Sequence, residues 1–159
     1  GDEQLQDFST FRFDDWPNGL HQGPTFISSR SAAPLAGAWA IFSSLGDDGF
    51  LELATLIDRT RRQLLDGVRA IPGLTVCGQP EATIMTVTSE RLDMFAVAEG
   101  LEDCGWNVFR TQEPEGIHLI IDPFDDEPLV AVFLADLAAA ASEVSAGSRG
   151  RASDRAASY

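Results

Sequence analysis

The residues best equipped for chemistry gather between Trp16 and Arg30, in the run Trp-Pro-Asn-Gly-Leu-His-Gln-Gly-Pro-Thr-Phe-Ile-Ser-Ser-Arg. The run supplies an imidazole (His21), hydroxyls (Thr25, Ser28, Ser29) and a guanidinium (Arg30). Gly19, Gly23, Pro17 and Pro24 exclude a plain helix or a central strand, so the segment reads as a loop. Hydroxyls and a guanidinium on a Gly/Pro-shaped loop suit an anion or a phosphate-bearing cofactor. The simpler reading is an ordinary connecting loop. A second histidine, His118, lies in the alternating run Ile117–Asp122. Ile117, Leu119 and Ile121 fall on one face of that run, and His118, Ile120 and Asp122 on the other. Cys77 and Cys104 have no metal or redox spacing. They read as buried free thiols, which leads us to expect a reducing, cytoplasmic setting. No metal site is expected.

The elements that must position these groups follow from periodicity. Leu35, Ala38, Trp39, Phe42 and Leu45 fall at helical spacing, with Pro34 in the first turn and Gly46 as the stop. A second helix is expected from Asp47 or Asp48, as cap, to about Ala70, with Phe50, Leu53, Ile57, Leu64 and Val68 as its apolar stripe. Ile71-Pro72-Gly73 ends it. Leu74–Cys77 and Ala82–Thr88 read as short strands, Leu92–Asp103 as a helix with Gly105 at its end, and Trp106–Phe109 and Ile117–Asp122 as further strands. Leu129–Val144 closes the chain as a helix, and the small, polar residues after it read as disordered. The pattern is α/β: a two-layer domain with a small, mainly antiparallel sheet and helices on one face.

The chain has 159 residues, enough for one domain with a core, and a net charge of −14. That charge argues against nucleic acid or an anionic membrane surface as partner. The sequence contains no continuous apolar run long enough to span a bilayer. All eleven basic residues are arginine, with no lysine. The chain opens on Gly1 rather than Met, which leads us to expect a piece of a longer polypeptide.

The run from Trp16 to Arg30 resembles the segment that follows the cofactor lysine in sphingosine phosphate lyases, relatives of the amino-acid decarboxylases. The family pattern there is close to Trp-x-Gly-Gly-x-Tyr-x-Ser-Pro-Thr-x-x-Gly-Ser-Arg. The match holds at Trp16, Gly19, Pro24, Thr25, Ser29 and Arg30. It continues at Trp39-Ala40, at Leu45-Gly46 with Gly49-Phe50, at Gly105-Trp106-Asn107 and at Gly116-Ile117-His118. Three positions depart from the pattern: His21 stands for Tyr, Gly23 for Ser and Ser28 for Gly.

The resemblance implies the C-terminal part of a pyridoxal-phosphate-dependent enzyme of the aspartate-aminotransferase fold. Residues 1–33 would be the end of the large domain and the active-site crossing loop. Residues 34–144 would be the connecting helices and small domain, and 145–159 a disordered tail. The family holds pyridoxal 5′-phosphate as a Schiff base on a lysine, which this chain lacks, so the chain alone is expected to be inert. Its expected partners are the N-terminal remainder of the parent, a second copy in a homodimer, and a small-molecule amine substrate. By the same resemblance Ser29 reaches the phosphate of the partner subunit's cofactor, or else caps the following helix. Arg30 meets that phosphate or a structural carboxylate, and Thr25 touches phosphate or holds the loop. His21 takes part in proton transfer or is an exposed loop residue. His118 meets the substrate or is a satisfied structural histidine. Trp16, Trp39 and Trp106 are core or interface aromatics. The expected chemistry is a carbon–carbon lyase or a decarboxylase. The other reading is a free-standing α/β binding or dimerisation module.

Overall fold

A computed structural model describes residues 3–24, 29–123 and 127–149. The chain divides at Gly46 into two compact units, Gly1–Gly46 and Asp47–Tyr159.

The first unit opens with helix α1 (Glu3–Ser9), where the sequence pattern gave no clear element. The Ser9 and Thr10 hydroxyls donate to the Gln6 carbonyl at 2.9 and 2.8 Å and close its last turn. Two short strands follow, β1 (Phe11–Phe13) and β2 (His21–Gly23), paired antiparallel with Phe13 opposite His21. The first part of the expected loop, up to Gly23, therefore belongs to a hairpin whose crest spans residues 14–20. Helix α2 runs from Ala33 to Ala70 but breaks at Gly46, with φ 59° and ψ −172°. That backbone region is open essentially to glycine alone, so Gly46 separates the two expected helices.

The second unit is the small domain read from the pattern. Strands β3 (Thr75–Val76), β4 (Ile84–Thr88), β5 (Phe109–Gln112) and β6 (Glu115–Ile120) form an antiparallel sheet in the order β3-β4-β6-β5. Met85, Val87 and Ile117 project from one sheet face into the core. There they join Leu64 and Val68 of α2, Leu101 of helix α3 (Met94–Asp103), and Leu137 of helix α4 (Glu127–Ser145). The opposite sheet face carries Thr86, His118 and Phe109 in one cross-strand row.

The expected strand Trp106–Phe109 is displaced: the ladder begins at Phe109 and runs to Gln112. Gly105 and Trp106 instead complete the end of α3. There the Trp106 N–H donates to Leu101 O at 3.1 Å and the Gly105 N–H donates to Glu102 O at 2.9 Å. The last expected strand shifts the other way, two residues toward the N-terminus, to Glu115–Ile120. By length and composition α4 would reach across a bilayer, with mean hydropathy 1.5 over Pro128–Ser145. Its Val130, Phe133, Leu137, Ala140 and Ala141 nonetheless form the one-sided buried stripe of a core helix. Residues 150–159 of the expected tail lie outside the described residues. Arg149 does not trail away: it bonds Asp103 at 2.8 Å and Glu143 at 3.3 Å.

Candidate functional site

In the first unit, His21 begins β2 and stacks its imidazole on two phenyl rings. Its centroid lies 5.1 Å from that of Phe13 and 5.7 Å from that of Phe11. Alternation in β1 puts both phenyl groups on one face, and the register brings His21 beside them. Among the described residues the imidazole has no hydrogen-bond partner, so its contacts are those of an aromatic packing group.

Ser29 and Arg30 follow the hairpin, outside helix and strand, and both are exposed. At the start of the following helix the Ser31 Oγ accepts the Ala33 N–H at 3.2 Å. Ala32 O accepts the Ala36 N–H at 2.9 Å and starts the helical ladder. Pro34, with its fixed φ and missing N–H, fits this first turn without loss. The Ser29 hydroxyl and the Arg30 guanidinium therefore stand side by side without partners among the described residues. The carboxylate pairing open to Arg30 is not formed there. A hydroxyl donor, a forked cation and the positive end of a helix are together an arrangement for an oxyanion. Thr25 lies outside the described residues.

His118 belongs to the second unit. It sits half-buried in β6 between Thr86 of β4 and Phe109 of β5. Its imidazole has no hydrogen-bond partner among the described residues. With Trp106, Asn107, Phe109, Ile120 and Leu129 it lines a cavity of about 250 Å³. This volume fits one side chain or a small apolar group rather than a drug-sized molecule. Trp106 fixes one wall: its Nε1–H donates to Asp136 Oδ2 at 2.8 Å, and its ring meets Phe133 edge-on at 5.1 Å. Asn107 was missed from sequence, although its place in the Gly105-Trp106-Asn107 match was a usable signal.

Other expectations sort by burial. Trp106 is a core aromatic, while Trp39 (72% exposed) and Trp16 (51%) are not. Both cysteines are free; Cys77 is half-buried and Cys104 exposed, rather than both buried. Among the described residues no cluster of His, Cys, Asp or Glu could hold a metal ion.

No family model matches the chain. It is 34% identical over 144 residues to a sphingosine-1-phosphate lyase of Drosophila melanogaster, covering 90% of this chain and 26% of the relative. It is 38% identical over 132 residues to the Arabidopsis thaliana sphingosine-1-phosphate lyase, covering 83% of this chain and 24% of that one. Among solved structures, the Burkholderia pseudomallei sphingosine-1-phosphate lyase superposes with a TM-score of 0.78 at 29% identity, over 92% of this chain and 33% of that one. The chain thus spans about a quarter of the length of the curated relatives it matches.

Proposed function

Taking as premise that the homologues of this chain are sphingosine-1-phosphate lyases and decarboxylases, a family whose cofactor is pyridoxal phosphate, we propose that it is the C-terminal part of a pyridoxal-phosphate-dependent lyase. The parent would break a carbon–carbon or carbon–carboxylate bond at the amino carbon of a small amine. The carrying observation is the pair Ser29 and Arg30, adjacent, exposed and without partners among the described residues, beside a helix start where Ser31 already accepts the Ala33 N–H.

When bound, pyridoxal phosphate supplies an electron sink for the bond that breaks. This chain supplies the grip. Ser29 donates its hydroxyl to a phosphate oxygen, and Arg30 adds guanidinium donors and charge. Thr25 is a further hydroxyl of the same loop. The phosphate is that of the partner subunit in a homodimer. His118, in the lining of its cavity, is the donor for the polar end of the substrate. His21 is the residue placed to hold or move a proton, although its stacking on Phe11 and Phe13 supports packing as its first task. The chain has no lysine, so the cofactor-linking lysine belongs to the rest of the parent, and the chain alone is not catalytic. Its free thiols fit a reducing compartment, and we place the protein in the cytoplasm.

The test is co-expression with the polypeptide that fills the relatives' remaining length, followed by cofactor titration and assay of lyase and decarboxylase turnover. Ser29→Ala is expected to weaken cofactor binding about tenfold or more, the value of a hydrogen bond to a charged group. Unchanged affinity in both Ser29→Ala and Arg30→Met would reject the assignment.

A further inference from the structure

We infer that the first unit is an interface segment: it takes its fold against the polypeptide that fills the relatives' remaining length. This rests on the functional reading above, because that reading supplies the partner.

The observation is where the core lies. Among the described residues every buried apolar side chain belongs to the second unit, beginning at Leu64, and none in the first unit is buried. The first unit is nevertheless rich in large apolar side chains. Phe8 is 90% exposed, Leu35 and Trp39 are each 72% exposed, and Leu20 and Phe42 are close behind. Scattered exposed apolar residues are ordinary, but a unit made of them with nothing inside is not.

The distribution is organised. On the first part of α2, Leu35, Trp39 and Phe42 recur at i, i+4 and i+7, which makes one stripe. Ile41 and Leu45, four apart, add a second stripe on the adjoining flank. A helix apolar over so wide an arc is built to be covered from more than one side.

The local elements cannot hold themselves. A two-stranded hairpin of three-residue strands is marginal in water, and so is an isolated helix of the length between Ala33 and Gly46. Ordering them costs backbone entropy, and no burial within the unit offsets it.

Two observations select the occupant. The B. pseudomallei lyase carries this backbone, over 92% of the present chain, within a polypeptide about three times as long. A second copy as the sole cover would bring together two chains of net charge −14, which repel.

The test is hydrogen exchange followed by mass spectrometry on the full chain, alone at two concentrations and co-expressed with the part of the bacterial lyase outside the match. Alone, amides of 11–13, 21–23 and 33–45 are expected to exchange at least 100-fold faster than those of α3 and β6. Co-expression is expected to slow them by a similar factor, and Trp39→Glu with Phe42→Glu to abolish that protection without changing the melting of the chain alone. Protection of the first unit in the monomer overturns the inference. Protection that appears only at high concentration with doubled mass assigns the cover to a second copy and also overturns it. So does co-expression that yields no protection. Cofactor absorbance and turnover report separately: a protected but inactive complex rejects the catalytic reading and keeps the interface, and an active complex with an unprotected first unit does the reverse.

Discussion

Asp58 stands between two guanidiniums, with Arg61 at 2.6 Å and Arg62 at 2.6 Å. The hydrogen bond from Arg61 is the main cause holding its carboxyl below the ordinary carboxylate range. A depressed carboxylate adds stability above its unfolded pKa and loses it as pH falls through its folded one. Because Asp58 faces solvent, the expected readout is its own titration rather than a melting point. By carboxyl NMR its midpoint falls below that of ordinary aspartates, and Arg61→Ala moves it up; an unmoved midpoint would contradict the pairing. A second prediction concerns Trp106. Trp106→Phe removes the donor to Asp136 and is expected to cost about 1.5 kcal/mol. Urea denaturation would show this as a lower midpoint with an unchanged slope, and an unchanged midpoint would mean the bond contributes nothing. At this scale residue types were legible and their partners were not. Ser29 is a plausible cap in the sequence, but the ladder starts at Ala32 and it is Ser31 whose hydroxyl accepts the Ala33 N–H. His118 alternates correctly onto the outer sheet face, yet nothing in the sequence says that no partner awaits it there.

Elements with strong punctuation were readable. Asp93 caps α3 by accepting the Phe95 and Ala96 N–H groups, both at 3.1 Å, and Gly105 at φ 93° ends the helix. Both ends give predictions for equilibrium unfolding. Asp93→Ala is expected to cost about 1 kcal/mol through two lost cap bonds. Gly105→Ala is expected to cost about 1 kcal/mol through strain in the left-handed region. Losses under a few tenths would show that tertiary packing, not capping, sets these ends. The misread elements have physical reasons. Trp106-Asn107-Val108 has a strand's composition, but the Trp106 N–H closes α3, and the ladder starts only where β5 meets His118. The hairpin of β1 and β2 was hidden because its strands are three residues each and its crest carries Pro17, Asn18 and Gly19, which read as loop.

For the whole molecule, the two-layer domain and the family were legible because spaced motifs and helical periods agree along the chain. The division at Gly46 was harder to see, since α2 reads as two ordinary amphipathic helices whichever unit each serves. The sequence also hides how unevenly burial is shared, because Leu35 and Trp39 have the same spacing as Leu64 and Val68. With arginine as its only basic residue, the chain offers a simple probe. Trypsin is expected to cut after Arg12 and Arg30 well before Arg69 or Arg110, leaving a persistent fragment that contains the sheet. Simultaneous cleavage at all of these sites would place both units at one stability.

The concentration of the core in the second unit has a consequence for life inside a cell. A copy whose first unit is left uncovered would display Phe8, Trp39 and Phe42 to the machinery that recognises incompletely folded proteins.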